Sequence, residues 1–132
     1  MYDNLQTTFS YDKQLCLLGF TDQVSLLMDA SDVIFTKPGG ITSTEAIVKN
    51  IPIVHTAPIP GLENYNARFF HNHGLSYHSN DTNQQVAIAM RLCEDKAFRN
   101  RMLQQQRLNS NPHTSDDVID LILNKQEIAY EE

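Results

Sequence analysis

The sequence predicts an α/β fold, a Rossmann-like parallel sheet with helices on both faces. Continuously apolar runs at residues 14–19, 33–36 and 51–55 are typical of strands that are buried on both faces of a sheet. Stretches of about ten residues with helical spacing of their apolar side chains separate these runs. A glycine-rich turn at residues 37–40 directly follows the second run, at the edge where open α/β sheets bind ligands.

The first half of the chain supplies the clearest strands and the helices between them. Residues 22–30 have helical spacing, and residues 41–49 form a second helix that ends near Asn50. The strand at residues 51–55 has Pro52 at its start, where the missing N–H of proline is tolerated.

The second half is mostly helical. A helix over residues 63–73 ends at Gly74, which suits the left-handed conformation that follows many helices. Residues 75–77 form a short fourth strand, and Asp81 or Thr82 caps the next helix. The remaining helices are predicted at residues 95–107 and 115–124.

We divide the chain into three segments. Residues 1–13 are a polar lead-in, residues 14–124 are the folded domain, and residues 125–132 are a charged tail that we expect to fray. Three or four strands are few for a doubly wound sheet. We therefore expect that the chain is truncated, that one or two strands precede residue 1, and that a partner covers the sheet edge if it is not left exposed.

Composition excludes several classes of function. The 132 residues contain 10 Lys and Arg against 16 Asp and Glu, a net charge of −6, which disfavours nucleic-acid binding because phosphates require clustered cations. No apolar run reaches the roughly 18 residues of a membrane span, and residues 1–6 do not resemble a signal peptide. Cys16 and Cys93 both lie in apolar segments, so we expect two reduced thiols in the core of a cytoplasmic protein.

The turn at residues 37–40 is open to two interpretations. A glycine pair between a strand and a helix lets the helix N–H groups and the positive end of the helix dipole meet a diphosphate. Alternatively, residues 42–45 form a capping box in which Thr42 caps the helix and Glu45 reaches back to it. The segment matches neither the Walker loop nor the dinucleotide fingerprint.

Four segments carry a resemblance to a known family. They are residues 18–22 (LGFTD), 27–34 (LMDASDVI), 36–46 (TKPGGITSTEA) and 58–69 (PIPGLENYNARF). In order and spacing they resemble the C-terminal, donor-binding domain of family 28 glycosyltransferases. The KPGG and PIPG segments favour the branch of monogalactosyldiacylglycerol synthases and processive diacylglycerol glucosyltransferases.

The resemblance implies part of a GT-B C-terminal domain that binds a UDP-sugar. The residues that match the family's donor site are Phe20, Thr21, Gly39, Gly40, Ile41, Thr42, Glu45, Glu63, Asn64 and Asn66. By this match the first two border uracil, and the next four hold the diphosphate. Glu45 accepts from the ribose hydroxyls, and the last three lie near the donor sugar.

The resemblance also implies that a hexose passes to a lipid acceptor such as diacylglycerol, at the inner face of the membrane in the parent enzyme. It implies no cofactor and no obligatory metal, because the helix N-terminus can neutralise the departing UDP. Leu62 and Tyr65 depart from the family pattern, in which Gln and Gly are common. The acceptor domain, with the expected general base, is not in this sequence, so we name no catalytic residue and expect the chain alone to be inactive.

Three alternatives stay open at this point. The chain resembles, more distantly, the donor domain of the N-acetylglucosaminyltransferase that acts on the peptidoglycan precursor. It is also compatible with a non-catalytic donor-binding subunit of a split N-acetylglucosaminyltransferase, and with a Rossmann-like domain that binds no sugar nucleotide.

The remaining polar residues have simpler interpretations. We expect a packing or hydrogen-bonding role for His55, no specific role for His78, and a helix-end role rather than metal binding for His71 and His73. The arginines of residues 91–107 are interpreted as a solvated helix face paired with neighbouring acids.

Overall fold

A computed structural model of the chain describes residues 2–111 and 113–128. Its elements, in chain order, are α1 (Tyr2–Phe9), α2 (Val24–Asp29), β1 (Ile34–Thr36), α3 (Gly40–Val48), β2 (Ile53–His55), α4 (Leu62–Asn72), β3 (Tyr77–His78), α5 (Thr82–Glu94), α6 (Lys96–Asn109) and α7 (Thr114–Ile128). Helices and strands alternate from α2 to β3, and three helices follow.

The strands form one parallel sheet in the order β1-β2-β3. In its register, Thr36 of β1 lies beside His55 of β2, which lies beside His78 of β3. All three strands therefore end at the same edge of the sheet. This arrangement confirms the predicted α/β class with a parallel sheet.

Helices cover both faces of the sheet. Side chains alternate between the faces along a strand, and the neighbours Ile53 and Val54 accordingly belong to two different clusters. The cluster around Ile53 contains residues of α3 and α4: Ala46, Ile47, Phe70 and, after α4, Leu75. The cluster around Val54 contains residues of α5 and α6: Ala89, Leu92, Phe98 and Met102.

Local signals set the helix ends. Asp81 caps α5 by accepting from the Gln84 N–H at 2.8 Å, and Asp95 caps α6 by accepting from the Phe98 N–H at 2.9 Å. The second of these bonds lowers the pKa of the Asp95 carboxyl, because it favours the charged form. Gly74 has a φ of 69° after α4, as predicted for a residue that follows a helix.

Two sequence predictions about the strands and the core are wrong. Residues 15–19 form no strand, and Leu18 is 50% exposed. A strand exists only where its backbone pairs with a neighbour, and the outer edge of β1 pairs with none of the described residues. Cys16 and Cys93 are exposed rather than in the core.

The C-terminal part of the chain is helical beyond Lys125. Helix α7 extends to Ile128, and the rest of the tail predicted to fray, residues 129–132, lies outside the described residues. Among the helices of residues 2–111 and 113–128, none combines the length and hydropathy needed to cross a membrane.

Candidate anion site at the carboxyl edge of the sheet

The candidate site lies where β1 passes into α3. The strand ends at Thr36, three residues form the turn, and α3 begins at Gly40. Because Thr36, His55 and His78 are neighbours in the register, the turn rises from the edge at which all three strands end. The fold thus places the turn where ligands bind in open α/β sheets.

The first turn of α3 has free N–H groups. Its N-cap residue is Gly39, and among the described residues no side chain caps the helix there. Ser43 N–H donates to the Gly39 carbonyl at 3.2 Å, but the N–H groups of Gly40, Ile41 and Thr42 meet no acceptor within residues 2–111 and 113–128. These donors and the helix dipole make the corner electropositive and suited to an anion.

The alternative interpretation of this segment, a capping box with Thr42 as the cap, is wrong. The helix starts two residues before Thr42, so that residue already lies inside it. The hydroxyl of Thr44 donates instead to the carbonyls of Gly40 and Ile41, at 2.8 and 2.9 Å.

The two glycines leave open space above the turn. A Cβ atom added to Gly39 or to Gly40 would meet no atom of the described residues within 4 Å. Neither residue has the positive φ that favours glycine, a conformation found at Gly61 and Gly74. The folded chain itself therefore does not require glycine at positions 39 and 40, and the space is available to a ligand.

Helix α4 supports the turn from the side. The Asn66 Nδ2 group donates to the carbonyl of buried Pro38 at 3.0 Å. One helical turn earlier, the Glu63 carboxylate accepts from the Ile59 N–H at 2.6 Å. It thereby closes the loop around Gly61, whose φ of 114° excludes most side chains. Asn66 and Glu63 thus hold the start of α4 and its loop.

Only some of the predicted site residues lie near the turn at residues 37–40. Asn66 contacts the turn directly, and Glu45 is exposed in α3 on the same side as Ile41, four residues earlier. Asn64 is exposed at the start of α4. Phe20 is fully exposed, and the hydroxyl of its neighbour Thr21 accepts from the Gln23 N–H at 3.1 Å.

A buried histidine lies directly behind the turn. His55 is 0% exposed, and its ring nitrogens Nε2 and Nδ1 are hydrogen-bonded to the hydroxyls of Ser43 and Ser76, respectively, each at 2.9 Å. Burial, with a smaller contribution from the nearby His78, lowers the pKa of His55 from 6.5 to about 4. The imidazole is therefore neutral at physiological pH.

This network was only half predictable. The predicted hydrogen-bonding role of His55 is confirmed, but sequence analysis missed Ser43 and Ser76. The signal for them was the histidine itself, because a buried imidazole needs two polar partners. The prediction for His78 is wrong, since it lies on β3 and its Nδ1 approaches the His55 carbonyl at 3.4 Å.

The other polar predictions concern helix ends. His73 Nδ1 lies 2.7 Å from the Phe69 carbonyl at the end of α4, in the predicted helix-end role. Arg91 pairs with Asp95 at 3.5 Å, as predicted, and its guanidinium also lies 4.0 Å from the centre of the Phe98 ring.

Comparisons with known proteins give one family and a set of distant relatives. A family model described as "Protein of unknown function (DUF354)" matches residues 7–127. The processive diacylglycerol beta-glucosyltransferase of Bacillus pumilus is 29% identical over 119 residues, which cover 90% of this chain and 31% of that protein. The protein of the same name from Staphylococcus carnosus is 30% identical over 103 residues, which cover 78% of this chain and 26% of that protein.

These matches show a distant relationship to glycosyltransferases. The chain spans about a third of the length of the curated relatives it matches.

Proposed function

The chain belongs to the DUF354 family, and from that premise and the open corner at α3 we propose that it is the UDP-sugar-binding part of a glycosyltransferase. In this proposal it corresponds to the C-terminal, donor-binding domain of the parent enzyme. The relatives of Bacillus and Staphylococcus are named for glucosyl transfer to diacylglycerol. We propose the same class of reaction here, with a hexose as the donor sugar and a lipid as the acceptor.

The observation that carries the proposal is the open space beside Gly39 and Gly40. Within residues 2–111 and 113–128, no atom lies within 4 Å of the positions that their Cβ atoms would take, and three N–H groups beside them lack acceptors. A diphosphate fills such a space and satisfies such donors, and charge-assisted hydrogen bonds of this kind are the stronger ones.

The remaining contacts would follow from the position of the diphosphate. The exposed Glu45 carboxylate, about one helical turn along α3, can accept from both ribose hydroxyls at once. Asn66 and Glu63 hold the start of α4 beside the diphosphate, on the side where the sugar would lie. Developing negative charge on the departing UDP would be stabilised by the helix N–H groups.

The direct test is titration of the purified chain with UDP, with uridine as the control ligand. We expect UDP to bind at least about tenfold more tightly, because only UDP carries the diphosphate. Since we propose that helix N–H groups supply the positive charge, EDTA should leave the UDP affinity unchanged. Equal affinity for UDP and uridine, or no binding of UDP, would refute the proposal.

The chain alone should not transfer sugar. It spans about a third of its relatives, and we propose that the acceptor groove and general base belong to the rest of the parent enzyme. Incubation with labelled UDP-glucose and diacylglycerol vesicles should give no labelled lipid. Detectable transfer would contradict this part of the proposal.

One observation favours a second candidate, a donor-binding subunit that associates with a separate acceptor chain. Several large apolar side chains in the segment up to β1 are exposed, among them Leu15, Leu18, Leu26 and Phe35. Exposed apolar side chains that come together in one patch mark an interface. The coding sequence upstream of residue 1 discriminates between the candidates. An in-frame acceptor domain there would mean that one polypeptide carries both domains and that the exposed apolar side chains face the acceptor domain of the same chain.

A further inference from the structure

We propose that His55 is a positioning residue that fixes the first turn of α3 for ligand binding. It would act by holding Ser43 against the sheet. This inference rests on the proposed function, because it assigns a role at the same anion site. It goes beyond that function by assigning the role to a residue that does not touch the ligand.

The geometry connects His55 to the turn through one residue. The Ser43 hydroxyl lies 2.9 Å from His55 Nε2, and the Ser43 N–H donates to the Gly39 carbonyl at 3.2 Å. Ser43 directly follows Thr42, the last of the three residues whose N–H groups meet no acceptor among the described residues. A shift of Ser43 would therefore move those donors relative to the sheet.

The second hydrogen bond of the imidazole joins it to the chain next to β3. His55 Nδ1 lies 2.9 Å from the hydroxyl of Ser76, just before β3, and the His55 ring packs 5.5 Å from that of Phe70. Ser43 and Ser76 are 0% and 2% exposed, so both partners of the imidazole are shielded from solvent. One hydrogen bond of the imidazole thus reaches α3, and the other reaches the residue before β3.

A neutral imidazole needs a hydrogen-bonding partner at each of its ring nitrogens. One ring nitrogen donates and the other accepts, whereas a hydroxyl can do either. Because the network is buried, each lost bond leaves an unsatisfied polar atom, which favours a single arrangement. An apolar side chain would fill the same space without fixing the register of α3 on the sheet.

The two serines provide a matched pair of variants. Ser43→Ala and Ser76→Ala each remove one buried hydroxyl and one hydrogen bond to the same ring. We expect similar losses of thermal stability, but a UDP affinity that falls about tenfold in Ser43→Ala and less than about twofold in Ser76→Ala. Equal losses of UDP affinity would show a merely structural role and overturn the inference.

Variants of His55 distinguish the effects of its two hydrogen bonds. The side-chain amide of glutamine reaches the position of Nε2, whereas that of asparagine reaches only the position of Nδ1. His55→Gln should therefore retain UDP affinity within about threefold, and His55→Asn should resemble Ser43→Ala. The reverse order of affinities would overturn the inference.

A measurement without ligand keeps the inference separate from the proposed function. If the unsubstituted chain does not bind UDP, the proposed function fails. Amide hydrogen exchange of residues 43–46 in the free chain then decides the role of His55. Faster exchange in Ser43→Ala than in Ser76→Ala supports the positioning role, and equal exchange refutes it.

Discussion

Replacing Gly40 by alanine should weaken the ligand and strengthen the fold. A Cβ at position 40 would meet no atom within 4 Å in the part of the chain that the structure describes, and the residue does not have a positive φ. At such a site Gly→Ala stabilises by about 0.4 to 1 kcal/mol, chiefly by restricting the unfolded chain. For a domain of this size that gain raises Tm by about 2 to 4 °C.

The same methyl group would stand in the space that we assign to the diphosphate. Displacement of one phosphate oxygen from the N–H groups loses a charge-assisted hydrogen bond, worth about 1.5 to 3 kcal/mol. UDP affinity should therefore fall about tenfold to a hundredfold. Calorimetric titration with UDP and thermal unfolding of the Gly40→Ala chain measure the two effects separately.

Gly74 provides the contrasting control. Its φ is 69°, and an added Cβ would lie 3.1 Å from Cγ of Gln105, so Gly74→Ala should lower Tm while leaving UDP affinity nearly unchanged. A Gly40→Ala chain that binds UDP as tightly as the unsubstituted chain would refute the reasoning, as would one destabilised as much as Gly74→Ala.

Three further predictions concern single side chains. Glu45→Ala should reduce the affinity for UDP about tenfold but leave that for uracil unchanged, because uracil has no ribose; equal losses in the two titrations would contradict the ribose assignment. Burial, and to a smaller extent His78, lowers the pKa of His55 from 6.5 to about 4 in the folded chain. Between pH 4 and pH 6.5 the unfolded chain therefore binds a proton that the folded chain does not. The free energy of unfolding should thus be at its full value above pH 6.5 and fall by roughly 3 kcal/mol towards pH 4, as followed by urea unfolding, and His55→Gln should lack this component. Phe98→Ala should destabilise the chain by about 3 to 5 kcal/mol in the same assay, because it removes a buried ring stacked 4.6 Å from Tyr77; a loss below about 1 kcal/mol would show that this cluster is not core.

The sequence by itself determined the features that depend on local chemistry. Alternating apolar runs and helical spacing predicted the parallel α/β sheet, because the period of burial is a property of each segment. Asp81 and Gly74 marked helix ends correctly, since a cap involves only residues within one turn. The glycine turn at residues 37–40 was likewise visible from its place after an apolar run.

Only the tertiary structure decided what depends on distant neighbours. The apolar run at residues 14–19 has the composition of a strand but joins none of the three strands of the sheet, because membership of a sheet is not encoded within the segment. The start of α3 at Gly40 settled the competition between a capping box and free N–H groups. The support of the turn by Asn66, and its link through Ser43 to His55, join residues 12 to 28 positions apart, which only the folded chain brings together.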